Sequence, residues 1–179
     1  NCLDYAQLLQ EKYRLIECNV VPAFSEESTL DSVSFGCYQL MARYLQDDKE
    51  KIIGLGSGLT LKKALQRIDF DSLNTRCVAL ISAMNADGQC NYYDDVPLLL
   101  TRKIKAKYYQ WPAPRYAQSA DEYEMWCTNR LFRSVSGVAR EADVIFVGIG
   151  PLGTQSPIFK DGFINQAQMD ELTARGGIG

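Results

Sequence analysis

Short apolar runs alternate with stretches of helical period along this chain, and nothing between them reads as a hairpin turn. "KIIGLG" (51–56) leads into "TLKKALQRI" (60–68), and "RCVALISAMN" (76–85) leads by way of the loop "ADGQCNYYDD" into "VPLLLTRKIKAKYY" (96–109). "DEYEMWCTNRLFRSVSGVARE" (121–141) precedes "ADVIFVGIG" (142–150). Strands separated by helices pair in parallel, because a parallel pair needs a long crossover and an antiparallel pair does not. The expected fold is therefore α/β: a Rossmann-like, mostly parallel sheet with helices on both faces. The unbroken apolar character of 76–85 suits a strand covered on both sides.

The flanking segments add further elements. Leu3, Ala6, Leu9 and Tyr13 recur at helical spacing near the start, and "LIECNVVPAF" (15–24) alternates and then runs apolar, predicting a strand that ends at Pro22. The stretch 26–46 predicts a helix with Val33, Cys37, Leu40, Met41 and Tyr44 on one face. Leu61, Leu65 and Ile68 should face inward from 60–68, and Met125, Leu131, Val135 and Val138 should form the stripe of the longest helix. "WPAP" (111–114) reads as a stiff extended connector. A closing helix should start on Asn165, with Gln168 in the capping-box position and Gly176 or Gly177 ending it. At 179 residues, with no repeat, low-complexity segment or linker, one domain is expected.

Composition removes several function classes. A net charge of −3 gives no general attraction to a nucleic-acid backbone or an anionic membrane. No apolar run reaches the roughly 20 residues needed to span a bilayer, and no signal-peptide pattern opens the chain, so a cytoplasmic protein is expected. Histidine is absent, which removes the commonest general base and zinc ligand. Six scattered cysteines form no CxxC pair, and Cys18, Cys37 and Cys77 lie within apolar patterns as small hydrophobes rather than metal or disulfide partners. In "KIKAKYY" the lysines suit the wet face of an amphipathic helix, although basic residues among aromatics can also stack nucleic acid. The chain opens on Asn1 and stops on "RGGIG", which reads as a piece of something longer.

Ligands of open parallel sheets bind beyond the carboxyl ends of the strands, and three strand exits here are chemically unusual. In "GLGSGLT", Gly54, Gly56 and Gly58 leave backbone donors bare, Ser57 and Thr60 add hydroxyls, and Leu59 opens the helix that follows. A glycine-rich helix start of this kind suits a phosphate. It lacks both the Gly-Lys-Ser/Thr of a P-loop and the third glycine of a dinucleotide fingerprint. A tight strand-to-helix turn would use the same residues, and Lys62 and Lys63 suit solvated helix surface better than an anion site. The second exit, "SAMNADGQ", offers Asn85, Asp87 and Gln89 to sugar hydroxyls, or is a solvated loop. In the third, Gly148 and Gly150 permit close backbone approach, and Thr154, Gln155 and Ser156 either contact a ligand or belong to a surface loop.

"IIGLGSGLTLKKAL", "EADVIFVGIGPL" and "GFINQAQMDELTARGGIG", in this order and preceded by "LLQEKYRLIECNVVPA", resemble the effector-binding domain of SorC (SorC/DeoR-type) bacterial transcription regulators over nearly the whole chain. The glycine loop alone is shared with ribose-5-phosphate isomerase and glucosamine-6-phosphate deaminase. The resemblance implies a sugar-phosphate sensor on the fold of those isomerases and deaminases. Operator DNA would be bound by an N-terminal helix-turn-helix absent from this sequence, and the assembly would be a homo-oligomer, typically a tetramer. It implies phosphate contacts at Gly56, Ser57, Gly58 and Thr60, with Asn85 and Gly150 lining the pocket, and no metal, cofactor or catalytic residue. The family's last motif usually continues past the final glycine to an acidic pocket residue and more sheet, so 1–179 reads as an effector domain cut short at its C-terminus. The competing expectation is an isomerase or deaminase on the same fold. Such an enzyme needs a base beside the substrate carbonyl, and Asp87 is the candidate for it.

Overall fold

A computed structural model of the chain describes residues 1–84, 88–89, 95–160 and 162–178. Its elements in chain order are α1 (Cys2–Tyr13), α2 (Glu26–Leu45), β1 (Lys51–Leu55), α3 (Leu59–Gln66), β2 (Thr75–Ala79), α4 (Val96–Ile104), β3 (Lys107–Tyr109), α5 (Ala120–Thr128), α6 (Arg130–Arg140), β4 (Val144–Phe146), α7 (Pro157–Lys160) and α8 (Gln166–Ala174). The four strands form one parallel sheet in the order β3-β2-β1-β4. The chain steps outward from β1 to β2 to β3, then returns to the other side of β1. That reversal puts a topological switch point between β1 and β4, where open α/β sheets hold their ligands.

Side-chain alternation divides the sheet between two layers. Ile53, Leu55 and Cys77 join Met41 and Leu45 of α2, Leu61 and Leu65 of α3, and Leu100 and Ile104 of α4 in the main core. Ile52 and Val78 are also buried but point the other way, toward the face that α6 crosses against β1 and β2. Leu61, Leu65 and Ile68 are all inward, as their spacing requires. On α2, Met41 is buried and Cys37 and Leu40 pack on the core, whereas Val33 and Tyr44 are 43% and 46% exposed. The inward row runs through Ser34 and Leu45 instead.

Three expectations need correction. The segment 15–24 is not a strand: it pairs with nothing and lies over α2, where Val21 sits so close that a Cβ on Gly36 would meet its Cγ1 at 2.9 Å. Its alternation reflects half-burial against a helix, not a ladder. The helix over 96–109 stops at Ile104, because Lys105 takes the left-handed conformation (φ 56°), and "KYY" becomes β3. The helix over 121–141 breaks at Asn129, whose extended backbone ends α5 while its side chain caps α6 by accepting from Leu131 and Phe132. Met125 and Leu131 are consequently 54% and 60% exposed, leaving only Val135 and Val138 half-buried. The closing helix has its capping box, Asn165 with Gln168, and ends before Gly176 at φ 84°.

Lys51 opens β1 and is nearly buried, and its Nζ donates to the carbonyls of Tyr44 (2.7 Å), in the last turn of α2, and of Asp47, just past that helix. A cation placed on the last helical carbonyls satisfies orphan acceptors and opposes the negative end of the dipole. Lys51→Met keeps the length of the side chain but leaves those carbonyls without a donor. The expected loss is about 1–3 kcal/mol, read as a melting point several degrees lower.

Candidate functional site

β1 ends at Leu55, and the next three residues turn it into α3. Gly56 continues the ladder by donating its N–H to Phe146 O (2.9 Å). Its donor is therefore spent on β4 and does not face a ligand, a correction to the expectation from sequence. Gly58 is the N-cap of α3, with φ 137° and ψ 152°, a region that residues with a Cβ adopt only under strain, and no side chain caps the helix there. The ladder begins with Lys62 N–H on Gly58 O (3.0 Å). That leaves the N–H groups of Leu59, Thr60 and Leu61 without intrahelical partners at the positive end of the dipole. Ser57 and Thr60 are half-buried beside them, and Leu59 is 58% exposed at the rim.

The β4 exit lies against this loop. A Cβ on Gly148 would sit 3.4 Å from Ser57 O, so bare backbone there lets the two loops touch. Gly150 is exposed with open space around it. The structure thus brings Gly56, Ser57, Gly58, Leu59 and Thr60 together with Gly148 at the switch point. Gln89 is exposed and engaged with other residues; Asn85 and Asp87 lie outside the described residues. Ser156 is buried and turned inward, its Oγ donating to Gly153 O (2.6 Å) ahead of α7, so it serves the turn rather than a ligand; Thr154 and Gln155 are exposed.

Charged groups around the loop are arranged to hold elements together. Lys63 Nζ donates to Asp31 on α2 (2.6 Å), and that hydrogen bond holds the Asp31 carboxyl below its ordinary pKa. Burial pushes the Cys77 thiol up to about 11, so it is a packed thiol rather than a nucleophile at neutral pH. What the loop offers is a set of neutral donors: three N–H groups and two hydroxyls. Such a set can hold an anion, but it cannot take a proton from carbon.

Sequence reasoning missed the neighbouring wall. Trp111, Pro114 and Arg115, within and just after the "WPAP" connector, fold back toward the exit of β2. Arg115 Nε donates to Ser82 O (3.1 Å), and the Arg115 guanidinium lies 5.4 Å from the ring of Phe163, which also packs on Tyr116 at 4.5 Å. The segment after β4 therefore returns to the β3 side of the sheet's carboxyl edge. The tryptophan and prolines in a connector hinted at buried loop structure, but contacts between strand exits have no period to show them.

The parallel sheet with a glycine-capped helix at its switch point is a fold shared with solved structures of bacterial transcription regulators. The fold matches a DeoR family transcriptional regulator from Listeria monocytogenes, with a TM-score of 0.80, 22% identity, 97% of this chain and 68% of that one. It also matches the full-length sorbitol operon regulator SorC from Klebsiella pneumoniae, with a TM-score of 0.76, 20% identity, 97% of this chain and 57% of that one. The chain belongs to the Sugar-bind family, described as "Putative sugar-binding domain", whose pattern matches residues 1–179. It is 27% identical over 182 residues to the erythritol catabolism regulatory protein EryD of Brucella abortus (strain 2308), covering 99% of this chain. The chain spans 57% of that relative's length.

Proposed function

We propose that this chain is the effector-binding part of a sugar-responsive transcription regulator, and that the stretch from Ser57 to Thr60, at the end of the glycine loop, holds the phosphate of a phosphorylated sugar. The bare N-terminus of α3 carries the reading: three outward N–H groups behind a glycine N-cap, with Ser57 and Thr60 alongside. Asn85, Gln89, Gly148 and Gly150 line the sugar. Occupancy changes operator binding by a DNA-binding segment outside this sequence, in a cytoplasmic homo-oligomer whose symmetry matches that of the operator. The domain senses its ligand and does not convert it. Family membership and the regulator relatives support this role.

The test is a mobility shift of the full-length regulator on its operator, with and without a panel of sugar phosphates. One compound should change operator affinity, while residues 1–179 alone, with a net charge of −3, should not shift DNA. If no sugar phosphate alters the shift, the reading fails. Conversion of the bound compound to an isomer would replace the sensor with an enzyme. Thr60→Ala should weaken the effective compound on the order of tenfold by isothermal titration, because one hydroxyl goes and the backbone donors stay.

A further inference from the structure

Beside the glycine loop the carboxyl edge of the sheet holds a second hollow. It is a cleft of about 170 Å³ between Leu80 and Ser82 at the exit of β2, Trp111 and Arg115 after β3, and Phe132 in the first turn of α6. Leu80 joins it to the loop: its N–H donates to Leu55 O (2.8 Å), and its side chain lies where a Cβ on Gly54 would meet it at 3.2 Å. A whole small-molecule pocket takes roughly 300–1,000 Å³, so the cleft suits one part of a compound anchored next door.

Two polar residues of this wall hold it together. Arg115 N–H and Nε donate to Met84 O (3.0 Å) and Ser82 O (3.1 Å), and Ser82 Oγ accepts from Met84 N–H (3.1 Å). The Trp111 Nε1 donor is different: it is buried and has no acceptor. Its ring packs on Phe132 with centroids 4.8 Å apart, which fills space but offers the indole N–H no oxygen. The chain's other tryptophan, Trp126, has an acceptor in Glu122 Oε1 (3.4 Å). A buried indole N–H ordinarily finds a partner, because losing water without replacing it costs free energy. Indole nitrogen only donates, so what completes it is an acceptor oxygen.

We infer that Trp111 is the specificity-determining residue of the effector site: its unpaired indole N–H donates to an oxygen on the effector's sugar, remote from the phosphate. The inference rests on reading Ser57 to Thr60 as the phosphate site. Trp111 stands in the connector after β3, outside the ladder, so its ring can turn to meet an occupant of the cleft without disturbing the sheet. The free domain carries the unpaired donor as a destabilisation. A sugar that brings the oxygen relieves it, and a phosphate without a sugar does not.

Trp111→Phe removes the donor, and benzothienylalanine in place of Trp111 removes only the N–H while keeping the bicyclic ring. Without ligand, the benzothienylalanine variant should melt at the same temperature as the unmodified chain or higher. An indole N–H bonded within the protein would instead make it melt several degrees lower. The chain and both variants are then titrated with inorganic phosphate and with tetrose, pentose and hexose phosphates of the aldose and ketose series. The sugar phosphate that the chain binds best should bind each variant about tenfold more weakly, the scale of one hydrogen bond, with inorganic phosphate unchanged. One of its singly deoxygenated counterparts should show the same loss on the unmodified chain and little further loss on the variants, since both changes remove one interaction. The inference is overturned if the benzothienylalanine variant melts lower, or if it binds that sugar phosphate as tightly as the chain does. It is also overturned if every deoxygenated counterpart loses equally on chain and variant, or if no sugar phosphate outbinds inorganic phosphate. Failure of the phosphate site shows separately, as inorganic phosphate binding Gly58→Asp as tightly as the unmodified chain, and takes both readings with it.

Discussion

Gly58→Asp is expected to lose more than a hundredfold in affinity for inorganic phosphate and for any sugar phosphate the domain accepts. Gly58 stands directly before the three outward N–H groups of Leu59, Thr60 and Leu61. A carboxylate there competes for the same donors, as an aspartate N-cap does, and repels an incoming anion. Each hydrogen bond to a charged group is worth about 1.5–3 kcal/mol, so losing two of them exceeds a factor of a hundred. The fold has room for the change, since no atom lies within 4 Å of where a Cβ would stand. Its cost to stability comes from the φ of 137°, on the order of 1–3 kcal/mol. Gly58→Ala carries the same strain without the charge and should retain measurable binding. Isothermal titration of both variants separates the two effects; unchanged binding by the aspartate variant would move the phosphate elsewhere.

The second large effect concerns a buried carboxylate away from the glycine loop. Asp95 is 5% exposed. Its Oδ1 accepts from Leu98 N–H (3.0 Å) to cap α4, and both carboxylate oxygens lie 3.2 Å from the Tyr108 hydroxyl on β3. One side chain thus ties the start of a helix to the edge strand that the helix leads into. Asp95→Ala removes the cap, worth about 1 kcal/mol, and strands a part-buried hydroxyl at about 1–3 kcal/mol. The expected loss is about 2–4 kcal/mol in denaturant unfolding. Tyr108→Phe should cost less, and the double substitution less than the sum, because the two share one interaction. Burial, reinforced by Asp95, holds the Tyr108 hydroxyl well above the ordinary tyrosine value. Ionisation therefore favours the unfolded chain, so this contribution is intact below about pH 10 and falls at higher pH.

Where the sequence was legible, the reason was periodic burial. β1 and β2 are buried along nearly their whole length, and Leu61, Leu65 and Ile68 occupy successive inward positions, so their patterns report the fold directly. The capping box of Asn165 and Gln168 was legible because it is a local chemical arrangement. β3 was not: three residues following Arg102, Lys103 and Lys105 carry too little pattern, and only tertiary pairing with β2 makes "KYY" a strand. The break at Asn129 was hidden because apolar residues continue on both sides of it. The glycine loop was visible from its composition, but which N–H groups stay open depends on β4 arriving to occupy Gly56. Trp111 and Phe132 are 21 positions apart, and their meeting follows from topology alone.

β4 closes one side of the sheet with only three paired residues, and no strand covers its outer side among the described residues. Ile145, Val147 and Ile149, along and beyond it, are 50%, 62% and 92% exposed. An uncovered apolar margin with open backbone groups is a template for another chain to add to. In concentrated solution residues 1–179 therefore carry a colloidal liability separate from their folding stability. Mutations that raise the melting point, by better capping or a tighter core, leave that margin as adhesive as before.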